Sequence, residues 1–241
     1  ASTEFSQANL NRASRYFPAV GWLIGLICAL SLWLGLQWFS IEIAVILSML
    51  VGLLLTGCFH EDGLADSCDG MGGGWTVEQK LNIMKDSRIG TYGSAALWVS
   101  LSLKFVALSQ LIEPILALIV AHPLSRVIPT VLIRIMPYVA DTDTSKVKPL
   151  AESGSNADTF IAVFSGGLAL FLVPSSLLAL VVVLLCVGLV SYVFLRKQLN
   201  GFTGDTLGAT QQVSELAIYL TLLAASGSTS DIAQSILKLG V

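Results

Sequence analysis

About seven apolar runs dominate the chain, at 19–39, 41–59, 94–112, 114–136, 158–174, 175–195 and 210–226. Each is close to the roughly 20 residues a helix needs to cross a bilayer. A soluble core cannot bury so many runs of that length. Charge agrees: 12% of the 241 residues are charged and 54% hydrophobic, with a mean hydropathy of +0.79. A soluble domain carries about 25% charged residues. The chain therefore reads as all-α, a polytopic membrane helix bundle of about seven transmembrane helices forming one integral membrane domain over 1–241.

The connections between runs alternate. Those near Ser40, Pro114 and Pro174 are short and lack Lys and Arg. Those at 60–92, 137–159 and 196–209 are long and hold Lys80, Lys85, Arg88, Lys146, Lys148, Arg196 and Lys197, while Arg12 and Arg15 precede the first run. All these cations then fall on one side, which the positive-inside rule makes cytoplasmic. The first run carries Gly21 and Gly25 four residues apart, a spacing that lets helices pack closely. The chain begins without Met and without a signal peptide, and a processed or truncated start is expected. Cys28 and Cys186 lie in apolar runs, and Cys58 and Cys68 lack the paired spacing of a zinc site. No nucleic-acid partner is expected, and the net charge of −3 says little about others. Lipid is a partner by composition, and a homo-oligomer stays open.

The unusual stretch is "CFHEDGLADSCDGMGGGW", residues 58–75, with Glu61, Asp62, Asp66 and Asp69 at the edge of an apolar run. If the second run continues as one helix through residue 70, Asp62, Asp66 and Asp69 share one face. Three carboxylates there call for Lys or Arg, shared protons or a divalent cation, and Mg²⁺ suits oxygen ligands and phosphate. The plainer alternative is a solvated acidic helix end. The small or apolar spacers Gly63, Leu64, Ala65, Ser67 and Cys68 argue for a ligand or a second helix instead.

"GGGWTVEQKLNIMKDSRIGTYG" follows. The glycines read as a flexible run, and Thr76 with Gln79 as a capping box. Val77, Leu81 and Met84 form the apolar stripe of a short interfacial amphipathic helix ending near Ser87. Asp86 in its last turn opposes the helix dipole, which predicts that it folds back toward Asp62, Asp66 and Asp69 as a fourth metal ligand. Arg88 beside it is a candidate bidentate phosphate donor or a lipid-headgroup contact. Gly90 and Gly93, around Thr91, leave backbone N–H groups open to an anion.

Lys104 and Arg126 lie inside runs, with His122 and Ser125 near Arg126. Charges there usually face the bundle interior. They are either paired with buried acids or snorkelling, or they form a basic wall for a polyphosphate. In "GFTGDTLGATQQVSE", residues 201–215, Asp205 is read as a helix N-cap beside Gly204, and Glu215 needs a partner. The polar 141–160 loop is a lid or a linker, and the tail from 228 a short interfacial helix.

"HEDGLADSCDG", "DSRIGTYG", Lys104, the "SR" at 125–126, "GFTGDTLGA" and the opening "FPAVGWLIG" together resemble the cobalamin synthase, or adenosylcobinamide-GDP ribazoletransferase, family over residues 17 to about 225. Glu61 stands where that family often has an apolar residue and is set aside as a ligand. The segment that usually precedes "YFP" is missing. The resemblance implies a Mg²⁺-dependent enzyme of the bacterial inner membrane, with catalytic cytoplasmic segments 60–93 and 201–209. It would join adenosylcobinamide-GDP to α-ribazole or its 5′-phosphate and release GMP. On this reading Asp62, Asp66, Asp69 and Asp86 bind metal, and Asp62, Asp66, Arg88, Lys104 and Arg126 carry the phosphoryl transfer. His60, Gly90, Thr91, Gly93, Ser125, Gly204 and Asp205 line the substrates. A spare carboxylate or His60 takes the hydroxyl proton. Two other classes would carry different patterns. A CDP-alcohol phosphotransferase would show D-x-x-D-G-x-x-A-R, whereas the spacing here is D-x-x-x-D-x-x-D-G. A cation-coupled transporter would show paired halves.

Overall fold

A computed structural model describes residues 12–139 and 155–238, with side chains as far as 227. Its helices are α1 (Phe17–Gly35), α2 (Ile41–Thr56), α3 (Phe59–Gly73), α4 (Val77–Met84), α5 (Thr91–Gln110), α6 (Pro114–Ser125), α7 (Val127–Ile135), α8 (Asn156–Gly167), α9 (Leu177–Leu199) and α10 (Gly204–Lys238). Residues 140–154, which include most of the loop expected to be a lid or a linker, lie outside the described residues.

Four stretches are long and apolar enough to cross a membrane: Ser14–Gly35, Thr91–Gln110, Pro114–Ile135 and Pro174–Leu199. A fifth arises if α2 and α3 together make one bent span. The chain is an all-α membrane protein. The other two expected crossings are helical but shorter or more polar. Asn156–Leu172 is a short apolar helix, finished by 3₁₀ turns. Residues 210–226 lie within α10, whose Gln211, Gln212 and Glu215 interrupt its apolar character. The tail from 228 is no separate element, because α10 runs on to Lys238.

α1 crosses α6 closely. Gly21 meets the His122 carbonyl and Pro123, and Gly25 the Leu118 carbonyl, so any side chain there would strike backbone. This is the close packing the Gly21/Gly25 spacing predicts. Around the crossing lies the main apolar core, including Leu32, Val45, Leu108, Val120, Leu180 and Ile218. α9 is the least buried candidate span and shows Leu178, Leu185 and Leu189 to the surroundings. Lipid accepts such a face without penalty.

The polar connections meet at one end of the bundle. Arg15 pairs with Asp158 at 2.8 Å, Arg134 donates to Asn156 at 2.8 Å, and Lys80 donates to Gln198. The Val139 amide donates to the Phe202 carbonyl, and the Phe202 amide donates to the Pro137 carbonyl. The long connections seen in the sequence therefore share one side.

α2 and α3 are two helices, not one continuous helix through residue 70. They meet at 84°. Gly57 and Cys58 both take left-handed backbone angles, φ 61° and 59°. The Cys58 amide reaches back to the Leu53 carbonyl and the Gly57 amide to Leu54. This is a Schellman-type stop, which glycine favours because it has no Cβ to clash. The bend turns α3 across the end of the bundle and gives its acids new neighbours.

Candidate active site

α3 presents different faces to different partners. At Gly63 it backs onto α10, where the missing Cβ leaves room for the Asp205 backbone. One turn on, Gly208 of α10 rests on the His60 backbone and on Gly63. This contact brings Asp205 to Asp62 and Asp66: the charges acting on Asp66 are those of Asp62, Asp205 and Asp69. The small spacers of the acidic stretch thus admit a second helix, and that helix adds an acid.

Asp205 is not the N-cap of α10. Thr203 takes that place: its hydroxyl accepts the Thr206 amide at 3.2 Å, and the Thr206 hydroxyl accepts the Thr203 amide at 2.9 Å. This reciprocal pair satisfies two end-of-helix donors and leaves Asp205 in the first turn of α10, where the Asp62 charge acts on it. Gly204 opens the helix with open space where its Cβ would be.

Asp69 is 7% exposed and is drawn out of the acidic group. Its oxygens accept the Gly90 amide at 2.6 Å and the Gly93 amide at 2.9 Å, closing the N-terminus of α5. The amides expected to approach a substrate anion hold this internal carboxylate instead, and Thr91 lies between them on the exposed side.

Asp86 does not fold back. It pairs with Arg88, whose Nη2 lies 2.6 Å from Oδ2 and whose Nε lies 3.0 Å from Oδ1. Arg88 is 87% exposed. These bonds hold the Asp86 carboxyl below the usual carboxylate range. The expected four-carboxylate cage of Asp62, Asp66, Asp69 and Asp86 is therefore not formed, because two of its members already have partners. Arg88's fork is likewise filled by Asp86.

α4 forms with the Thr76–Gln79 capping box in place. Its buried positions are Lys80 and Met84 rather than the full stripe of Val77, Leu81 and Met84. Lys80 and Met84 press against Gly74 and Gly70, and the Tyr92 ring covers Gly72. The glycine run serves close packing as well as the turn.

Deeper in the bundle lies a second polar group. Lys104 of α5 sits 3.1 Å from Glu215 and 4.0 Å from Glu61, and 3.4 Å from Gln212 Oε1. Gln211 donates to Glu215 at 2.8 Å and to Ser125 at 3.0 Å. Gln212 donates to Glu61 at 3.0 Å and to Gln211 at 2.9 Å, and Tyr219 donates to Glu215 at 3.0 Å. Glu215 has found the partner its position demanded, and Lys104 is paired with buried acids, one of the two readings open for it. Glu61, set aside as a metal ligand, belongs to this network.

Arg126 follows Pro123, which interrupts the α6–α7 span. Its side chain makes one described hydrogen bond, from Nη1 to the His122 carbonyl at 2.7 Å. It makes no ion pair among the described residues. It lines a narrow cavity of ≈ 30 Å³ with His60, Glu61, Lys104, His122, Gln212 and Glu215. His122 Nδ1 and Glu61 Oε2 are buried there without a hydrogen-bond partner.

A family model described as cobalamin-5-phosphate synthase matches residues 2–223. The chain is 49% identical to a Shewanella oneidensis protein over 231 residues, 93% of this chain and 88% of the relative. It is 52% identical to a Shewanella pealeana protein over 228 residues, 91% and 87% of the two chains. It is 48% identical to a Vibrio parahaemolyticus protein over 224 residues, 91% and 84%. All three relatives carry the name adenosylcobinamide-GDP ribazoletransferase. No solved structure matches the chain significantly. The chain belongs to the cobalamin-5-phosphate synthase family.

Proposed function

We propose that the protein is a Mg²⁺-dependent transferase joining adenosylcobinamide-GDP to α-ribazole, or its 5′-phosphate, with release of GMP. The names of its relatives supply the substrates. The observation that carries the chemistry is the approach of α3 and α10 at Gly63, which adds Asp205 to Asp62 and Asp66.

Those three acids suit Mg²⁺, a hard cation that prefers carboxylate oxygen. Among the described residues no three His, Cys, Asp or Glu side chains stand close enough to enclose an ion by themselves. Mg²⁺ does not require that, because it is usually held by one or two carboxylates together with waters and substrate phosphates. Asp62, Asp66 and Asp205 would hold it. When bound, it would neutralise charge on the pyrophosphate oxygens and on the departing GMP.

In the reaction a ribose hydroxyl oxygen attacks the phosphorus on the cobinamide side of the pyrophosphate. A new P–O bond forms, the bond from that phosphorus to the bridging oxygen breaks, and GMP leaves with that oxygen. The hydroxyl proton passes to a carboxylate of the acidic group or to His60. The protein's task is to position and to neutralise. Arg126, a permanent cation with spare donors, is the residue best placed to clamp a phosphate.

The gathering of the basic connections at one end supports a bacterial inner-membrane protein with its acids facing the cytoplasm. The test is direct. Purified protein supplied with Mg²⁺, adenosylcobinamide-GDP and α-ribazole should release GMP; both substrates remaining intact would rule this function out.

A further inference from the structure

We propose that Lys104 and Glu215 are positioning residues, which pin α10 against α3 and α5 so that Asp205 stands with Asp62 and Asp66. This rests on the reading of those three acids as the cation site. It removes Lys104 from the phosphate clamp.

The contacts form a closed ring. Lys104 reaches Glu215, Glu215 accepts from Gln211, Gln211 accepts from Gln212, and Gln212 returns to Lys104. Branches reach Glu61 on α3 and Ser125 on α6. Glu215 is 2% exposed, and both of its oxygens are occupied, one by Lys104 and Tyr219 and the other by Gln211. Lys104 Nζ already faces Glu215, Gln212 and Glu61, so a phosphate oxygen there would compete with buried carboxylates. Arg126, in the same cavity, has a single acceptor and no such obstacle.

The ring acts at a distance through two rigid links. Glu61 directly precedes Asp62 on α3. Glu215 lies on the same helix as Asp205, ten residues on, roughly 15 Å along its axis at 1.5 Å per residue. A helix that slips carries all its side chains together, and one turn of slip is about 5.4 Å. The Gly63–Asp205 and Gly208–His60 contacts are backbone approaches with no side chain to set axial register. Buried charges resist such slip strongly: Gln211 and Tyr219 would move with Glu215, but Glu215 would lose Lys104, Gln212 would lose Glu61 and Lys104, and Gln211 would lose Ser125.

The experiment uses the full chain in lipid nanodiscs. It compares Lys104→Met, Glu215→Gln and the double variant by GMP release and by substrate-free Mn²⁺ binding, read by electron paramagnetic resonance. Lys104→Met should lower turnover about 100-fold and weaken Mn²⁺ binding. The double variant, which leaves no unpaired Lys104 or Glu215 charge, should regain about tenfold over Lys104→Met in a mutant cycle and recover Mn²⁺ binding. A double variant as inactive as Lys104→Met, with wild-type Mn²⁺ binding in both, would overturn the proposal, since Lys104 would then act on substrate. If Lys104→Met is not recovered from membranes, the near-isosteric Glu215→Gln decides. Positioning predicts loss of turnover and of Mn²⁺ binding, whereas a clamp freed from Glu215 would keep or raise turnover. Wild-type protein that released no GMP would refute the proposed reaction, while the Mn²⁺ series would still test the positioning.

Discussion

Asp69 and Gly93 are joined across two helices: the carboxylate on α3 accepts the Gly93 amide at 2.9 Å and so closes the start of α5. The Gly90 amide fills the other oxygen. A buried carboxylate bound to two N–H groups at a helix N-terminus is a strong charge-assisted contact. Each Asp69 oxygen is thereby committed to a backbone amide.

Asp69→Ala should destabilise the protein by about 1–3 kcal/mol, the usual cost of leaving buried donors unpaired. Thermal denaturation in detergent measures this. Asp69→Asn, which keeps an acceptor oxygen, should cost less. Equal losses for both variants would argue that the negative charge at Asp69 is required.

Asp62→Ala and Asp205→Ala should each abolish GMP release while the protein still reaches the membrane, and a chelator should do the same to the wild type. Asp86→Ala should keep turnover within a few-fold, since an exposed, solvent-screened ion pair contributes little. Steady-state rates of the three variants separate the Asp62–Asp66–Asp205 group from a cage that includes Asp86.

Gly63→Val should push α10 away from α3, because a Cβ there would lie 2.7 Å from the Asp205 carbonyl oxygen. A displacement of about 1 Å costs on the order of 100-fold in rate. The protein should still partition into membranes, so turnover per mole of membrane protein is the quantity to measure. Wild-type turnover would show that this contact does not set the site.

Arg126→Lys should lower kcat by about 10–100-fold despite keeping the charge, since a point-charge ammonium does not reproduce a planar fork. Retention of full activity would remove Arg126 from the clamp.

Much of the molecule is legible in the sequence, because its determinants are local. The bilayer demands long apolar helices, so the runs declare an all-α membrane bundle. The Gly21/Gly25 pair, the Thr76–Gln79 cap and the unmet charge of Glu215 each announce a need that neighbours in sequence or composition make plain. What the sequence leaves open is the choice of partner, which depends on how helices distant in sequence meet. The meeting of α3 with the start of α5 separates Asp69 from Asp62 and Asp66 in role, because the Gly90 and Gly93 amides bind it alone. Asp86 takes the nearest cation, Arg88, two residues away. The Gly63–Asp205 approach substitutes Asp205 for both in the acidic group. Lys104 likewise has its charge claimed by Glu215, more than a hundred residues later. Spacing along one helix fixes which side chains share a face; only packing between helices decides what that face meets.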